Sequence, residues 1–112
     1  MPYKYGESTH ARQKNMLKLK DSISRLAALK KANEKQLGIT RLGIFGSVAR
    51  QENNENSDLD VVVEMEQPTL RRMFQLEESI RQEFGCKVDL VQMRPTLRPL
   101  LRKNILKDVI YV

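Results

Sequence analysis

Cysteine is nearly absent from this 112-residue chain. The single Cys86 cannot form an internal disulfide, and a cysteine-rich zinc site is excluded with it. Between a helix end and a strand, Cys86 reads as a small buried thiol rather than a nucleophile. Histidine is as scarce: His10 stands alone, without companions spaced as metal ligands, and reads as solvent-facing. No run of roughly 18 apolar residues exists, so no segment reads as a membrane span. The N-terminus lacks the apolar core of a secretion signal, which leads to the expectation of a cytoplasmic chain. Aromatic residues are few, and none lies among the basic residues from Arg12 to Arg41. A surface that stacks single-stranded bases therefore has little support. Internal repeats and low-complexity tracts are lacking too.

What remains is an ordinary globular composition, 40% hydrophobic and 30% charged. The length suits one domain with one modest core and leaves no room for a separate substrate domain. The net charge of +6 is uneven. Residues 1–56 carry 11 basic and 5 acidic side chains, whereas residues 57–112 carry 9 of each. Such asymmetry suits nucleic acid or an acidic partner, although a solvated lysine-rich helix face is the default explanation.

Periodicity lays out the elements. Residues 1–8 read as a leader, with Ser8 or Thr9 capping a helix over about 10–37. Met16, Leu19, Ile23, Leu26 and Leu29 form its apolar stripe, and Gly38 is its left-handed cap. A nucleus of about 39–112 follows. Ile39 to Phe45 is a strand, Ser47 to Gln51 a short helix, and 53–57 a polar loop. Asp58 to Glu64 is a second strand whose Leu-Asp-Val-Val-Val suggests burial on both faces, hence a central position. Pro68 opens a helix with Leu70, Met73, Phe74, Ile80 and Phe84 as its stripe, Leu76 to the side and Gly85 at its end. Lys87 to Gln92 is a third strand. Pro95-Thr96 starts a last helix through about Leu106, with Leu97, Leu100, Leu101 and Ile105 on one side and Arg94, Arg98, Arg102, Lys103 and Lys107 on a basic other side, which suits a nucleotide phosphate, RNA or an acidic partner, a solvated face being the default. Residues 109–112 suit a short edge strand. The expected fold is α/β (α+β), a small mixed central sheet of three to four strands flanked by about four helices.

The chain is organised around Gly46 to Asp60, GSVARQENNENSDLD. Residues two apart in a strand share a face, so Asp58 and Asp60 set two carboxylates side by side. Such like charges repel unless a cation sits between them. Hard oxygen ligands of this kind suit magnesium, which takes one or two carboxylates plus substrate phosphates. Gly46 allows close backbone approach, and Ser47 begins a short helix whose N–H groups favour phosphate. Asp89 lies between apolar neighbours in the third strand. Buried there, it must meet a cation or hydrogen-bond donors, and a salt bridge is the plain alternative.

These residues carry a resemblance. Gly-Ser, ten residues, then Asp-x-Asp resembles the signature of the nucleotidyltransferase superfamily that includes DNA polymerase beta. Gly46-Ser47-Val48-Ala49-Arg50 and Ser57-Asp58-Leu59-Asp60 resemble its small MNT (minimal nucleotidyltransferase) proteins still more closely. Many of those have glycine after the arginine; here the position is Gln51. The resemblance covers about residue 39 onward and implies the nucleotidyltransferase fold. It implies two Mg2+ ions held by Asp58, Asp60 and Asp89, with ATP as substrate. Gly46 and Ser47 would hold the terminal phosphates, while Arg50 either neutralises phosphate or braces the loop. It further implies an antitoxin that adenylylates a HEPN-domain toxin protein and assembles with it. Three alternatives stay open: a non-catalytic binding module acting by contact, transfer to a small molecule, and transfer to RNA, for which only the positive charge speaks.

Overall fold

The computed structural model describes residues 16–112, so the expected leader, the Ser8 or Thr9 cap and His10 lie outside the described residues. The elements run α1 (Leu19–Leu37), β1 (Ile39–Phe45), α2 (Gly46–Arg50), β2 (Leu59–Met65), α3 (Leu70–Phe84), β3 (Val88–Gln92), α4 (Pro99–Asp108) and β4 (Ile110–Tyr111). The strands form one mixed sheet in the order β3-β2-β1-β4. β2 pairs antiparallel with β1 and parallel with β3, and β4 pairs antiparallel with β1. β2 is thus interior, as its unbroken apolar run predicts. Its alternation sends Leu59, Val61 and Val63 to the face covered by α1 and α3, and Val62 to the face where Phe45 and Ile105 of α4 pack. Asp60 therefore points to the α4 side, with Val62.

Three helix starts differ from the sequence expectation, each for a local reason. Of the helix expected over about 10–37, residues 10–15 lie outside the described residues and α1 begins at Leu19, because Lys18 is extended and the Leu17 carbonyl accepts a hydrogen bond from Asn53 Nδ2 at 2.9 Å. α3 begins at Leu70 rather than Pro68, since the Thr69 hydroxyl caps it by accepting from the Arg72 N–H at 3.1 Å. α4 begins at Pro99 rather than Pro95. A residue before proline is pushed out of the helical region, and Arg98 has ψ 135°.

The stripes also shift. On α3 the inward residues are Leu76, Ile80 and Phe84 with Met73, whereas Leu70 is 91% and Phe74 63% exposed. On α4 Ile105 is buried and Leu97 and Leu101 pack beside it, but Leu100 stays exposed. Met16 is exposed rather than in the α1 stripe, which keeps Leu26 at its centre. Arg25 is not a free cation: it pairs with Asp21 at 3.2 Å and Glu83 at 3.0 Å and lies over the Phe84 ring, tying α1 to α3. Gly38 caps α1 in the left-handed region, as expected. Among the described residues no helix is long and apolar enough to cross a membrane.

Among the described residues one buried side chain is unsatisfied. The Ser22 hydroxyl, on the inward face of α1, is fully buried and has no hydrogen-bond partner among the described residues. A stranded buried hydroxyl costs about 1–3 kcal/mol. Ser22→Ala is therefore expected to raise stability by about 1 kcal/mol, read from urea denaturation midpoints with the slope unchanged.

Candidate active site

The site lies where three strand ends meet. β1 runs outward and ends at Phe45; β2 and β3 begin beside it and run back. In this register Phe45 faces Asp60, and Asp60 faces Asp89. Paired residues on adjacent strands share a face, so Asp60 and Asp89 stand about 5 Å apart at the backbone on the α4 side. Asp58 lies just ahead of β2, not within it, and is exposed. The loop leading to it is stiffened by its own turn. The Asn54 N–H donates to Ser57 Oγ at 2.9 Å, and the Asn56 N–H donates to Asn54 Oδ1 at 2.8 Å.

Gly46 combines a left-handed backbone with a close approach that leaves no room for a side chain. Its φ is +73°, in the left-handed region, and a Cβ there would run into Asp60 Oδ2 and come within 3.0 Å of Asp60 Cγ. The strand-to-helix turn and the central carboxylate thus occupy adjoining space only because position 46 has no side chain. The chain turns again at Gln51, which adopts φ 59° and ψ 36° and closes α2 by donating its N–H to the Val48 carbonyl at 3.1 Å. This is the position where the MNT pattern has glycine. The conformation is the one glycine supplies, held here by glutamine at a cost of about 1 kcal/mol. Gln51→Gly is expected to stabilise the chain by about that amount without weakening nucleotide binding, as thermal melts and a titration would show.

Electrostatics mark the same point. The Asp60 carboxyl is pushed up to about 6 from its ordinary 3.8 by loss of solvent, and further by the Asp89 and Asp58 charges, against a smaller opposing effect of Arg50. Asp89, expected to be buried against a partner, is instead exposed on the edge strand β3. No ion pair engages it among the described residues, so the salt-bridge alternative finds no support there. The three carboxylates do not form a closed cluster of ligands: no group of three acidic, cysteine or histidine side chains is drawn tightly enough to hold an ion among the described residues. The donor set itself suits a hard divalent cation. It is all carboxylate, and Asp60 is half-buried, destabilised as an anion and flanked by two further negative charges.

A cleft of about 530 Å³ opens between α2 and α4, lined by Phe45, Gly46, Ser47, Arg50, Asp60, Leu101, Asn104, Lys107 and Asp108. It brings Gly46, Ser47, Arg50 and Asp60 together. Arg50 is already engaged, by Asp108 at 2.6 Å and Glu52 at 3.0 Å. This is the bracing arrangement, which ties α2 to the end of α4. The sequence reading placed Leu101 on the apolar side of this helix and Lys107 on its basic side, solvated by default, and did not single out Asn104 or Asp108. The available signal was Asn104 itself, the one uncharged polar residue between Leu100 and Leu106, three positions from Leu101 and so on its side of the helix. A larger cavity, about 960 Å³, lies between residues 16–18, the 54–57 loop and the end of α3. It reaches Ser57 and Cys86 but none of the three aspartates or Ser47. Burial first, and then the Asp58 charge, pushes the Cys86 thiol up, away from nucleophilic use.

Comparison with known proteins gives the family and the fold. A model of the "Polymerase beta, Nucleotidyltransferase" domain matches residues 27–112. The protein adenylyltransferase MntA of Thermococcus cleftensis is 39% identical over 98 residues, which are 87% of this chain and 98% of that protein. A solved candidate minimal nucleotidyltransferase superposes with TM-score 0.71 at 35% identity, over 84% of this chain and 95% of that one. A chain from the tri-AMPylated Shewanella oneidensis HEPN toxin in complex with MNT antitoxin shares the fold, with TM-score 0.62 at 16% identity, over 83% of this chain and 70% of that one. Because the domain model matches residues 27–112 and relatives 39% and 35% identical are covered over 98% and 95% of their length, the chain belongs to the polymerase beta nucleotidyltransferase family, among the minimal nucleotidyltransferases.

Proposed function

We propose that this chain is a Mg2+-dependent protein adenylyltransferase. It transfers AMP from ATP to a hydroxyl on a partner protein, a HEPN-type toxin that it thereby silences. The observation that carries the reading is the meeting of Gly46, Ser47 and Asp60 in one cleft, with Asp89 in register beside Asp60. The 39% identity to a protein adenylyltransferase supports the acceptor class.

In this reaction the acceptor oxygen bonds to the α-phosphorus and pyrophosphate leaves. The barrier lies in charge on the phosphoryl oxygens, so positioning and electrostatics do most of the catalysis. Asp58, Asp60 and Asp89 are the residues that would hold Mg2+, which when bound neutralises that charge. Gly46 leaves the backbone open to the nucleotide, and Ser47 presents a hydroxyl to its phosphates. The Arg50–Asp108 pair keeps α2 against α4, so the two walls of the cleft hold their spacing. Leu101 and Phe45 give the cleft an apolar floor.

The test is label transfer. Purified chain, Mg2+ and ATP labelled at the α-phosphate are added to lysate of the source cell, beside the Asp58→Asn/Asp60→Asn variant. A protein band labelled only by the wild type is the expected result, and its identity names the partner. Label on RNA or on a small molecule would keep the chemistry and overturn the acceptor. A second reading, silencing by contact alone, draws on the exposed Leu70 and Phe74 of α3. Under that reading the double variant still silences the toxin.

A further inference from the structure

We infer that Lys107 is the positioning residue for the terminal phosphates of the nucleotide, and that Arg50 does not fill that place. The inference deepens the nucleotide-transfer reading above and rests on it. Two cations line the cleft between α2 and α4, Arg50 and Lys107. The Arg50 guanidinium is divided between two carboxylates: Nη1 reaches Asp108 Oδ2 at 2.6 Å and Nε reaches Glu52 Oε1 at 3.0 Å. Asp108 is 10% exposed, so drawing Arg50 away would strand a largely buried carboxylate. Lys107 has no such commitment: it makes no ion pair with a described residue, and it is exposed at the cleft.

The fold gives Lys107 its position. Leu101, Asn104 and Asp108 recur on α4 at spacings of three and four and so share one wall of the cleft, with Lys107 beside them. Asp108 locks that end of the helix to α2 through Arg50, which holds the neighbouring Lys107 stem at the rim. A lysine ammonium is a mobile point charge with three donors, suited to phosphate oxygens whose exact placement changes as pyrophosphate leaves. Ser47, on α2, lines the same cleft.

The experiment is a calorimetric titration of the full chain with Mg2+ and ATP, ADP or AMP, using the wild type, Lys107→Ala and Lys107→Arg. Lys107→Ala is expected to weaken ATP binding about tenfold or more, since one charge-assisted contact is lost, while AMP binding changes less than about twofold. Lys107→Arg should recover most of the ATP affinity, and all three proteins should melt alike. A Lys107→Ala protein that binds ATP as the wild type does overturns the assignment alone. So does one that loses ATP and AMP equally, or a loss that arginine does not recover. A wild type that binds no nucleotide overturns the transfer reading and this inference together.

Discussion

Asp60→Asn is expected to lower adenylyl transfer by about 10³-fold or more while making the metal-free chain more stable at neutral pH. The first effect follows from the proposed mechanism, in which removing this carboxylate would forfeit several kcal/mol of charge stabilisation. The second follows from its titration. The folded chain holds the Asp60 proton more tightly than the unfolded chain does, at about 6 against an ordinary 3.8. The stability this supplies is fully present below pH 3.8 and is lost as pH rises through about 6. Above that, the ionised carboxylate is a liability, confined beside Asp89 and Asp58. Asparagine keeps the shape and removes the charge. After allowance for solvent screening the gain is about 1 kcal/mol, or about 4–8 °C in melting temperature at pH 7.5. Two measurements check it: initial transfer rates, and melts with and without Mg2+. Mg2+ should raise the wild-type melting temperature and leave that of the variant unmoved. A variant that melts lower than the metal-free wild type at pH 7.5 would contradict the electrostatic account.

Gly46→Ala has the other large expected effect. The added Cβ meets Asp60 Oδ2, and its residue must hold φ +73°. The backbone conformation alone costs about 1–2 kcal/mol for a side-chain-bearing residue. The greater loss is positional, because either Asp60 or the Gly46-Ser47 turn must move. A displacement of about 1 Å in such a site lowers the rate by about 10²-fold. Transfer is therefore expected to fall by at least that factor in a chain that still folds, as judged by its circular dichroism. Activity within about threefold of the wild type would show that the turn and the carboxylate do not share that space during the reaction.

Much of this was legible along the chain. Every strand expected from β-propensity and alternation is present, including the interior β2 and the short β4. Local patterns sufficed there because an apolar run such as Val61-Val62-Val63 has no solvent face to choose. The helices were less legible. Leu70, Phe74 and Leu100 fit a helical stripe as well as their buried neighbours do, yet they are exposed. Periodicity gives a face about 100° wide, and only the sheet beneath decides which edge of it is covered. Helix starts went the same way: Pro68 and Pro95 are good openers, but the Thr69 cap and the constraint of Pro99 on Arg98 set the real ones.

For the candidate site, the local sequence supplies the residues on which the proposed chemistry rests. Gly46, Ser47, Asp58 and Asp60 lie within fifteen residues, so turn, carboxylates and spacing are read directly from the chain. What only the tertiary structure decided is which residues from far along the chain join them. The parallel pairing of β3 with β2 sets Asp89 beside Asp60, and the return of α4 across the sheet adds Asn104, Lys107 and Asp108. It also decided that Arg50 is held by Asp108, 58 residues away, a partner that no local pattern announces. The physical reason is that a backbone turn and a strand alternation are short-range properties, whereas strand register and helix docking depend on burying the whole core at once.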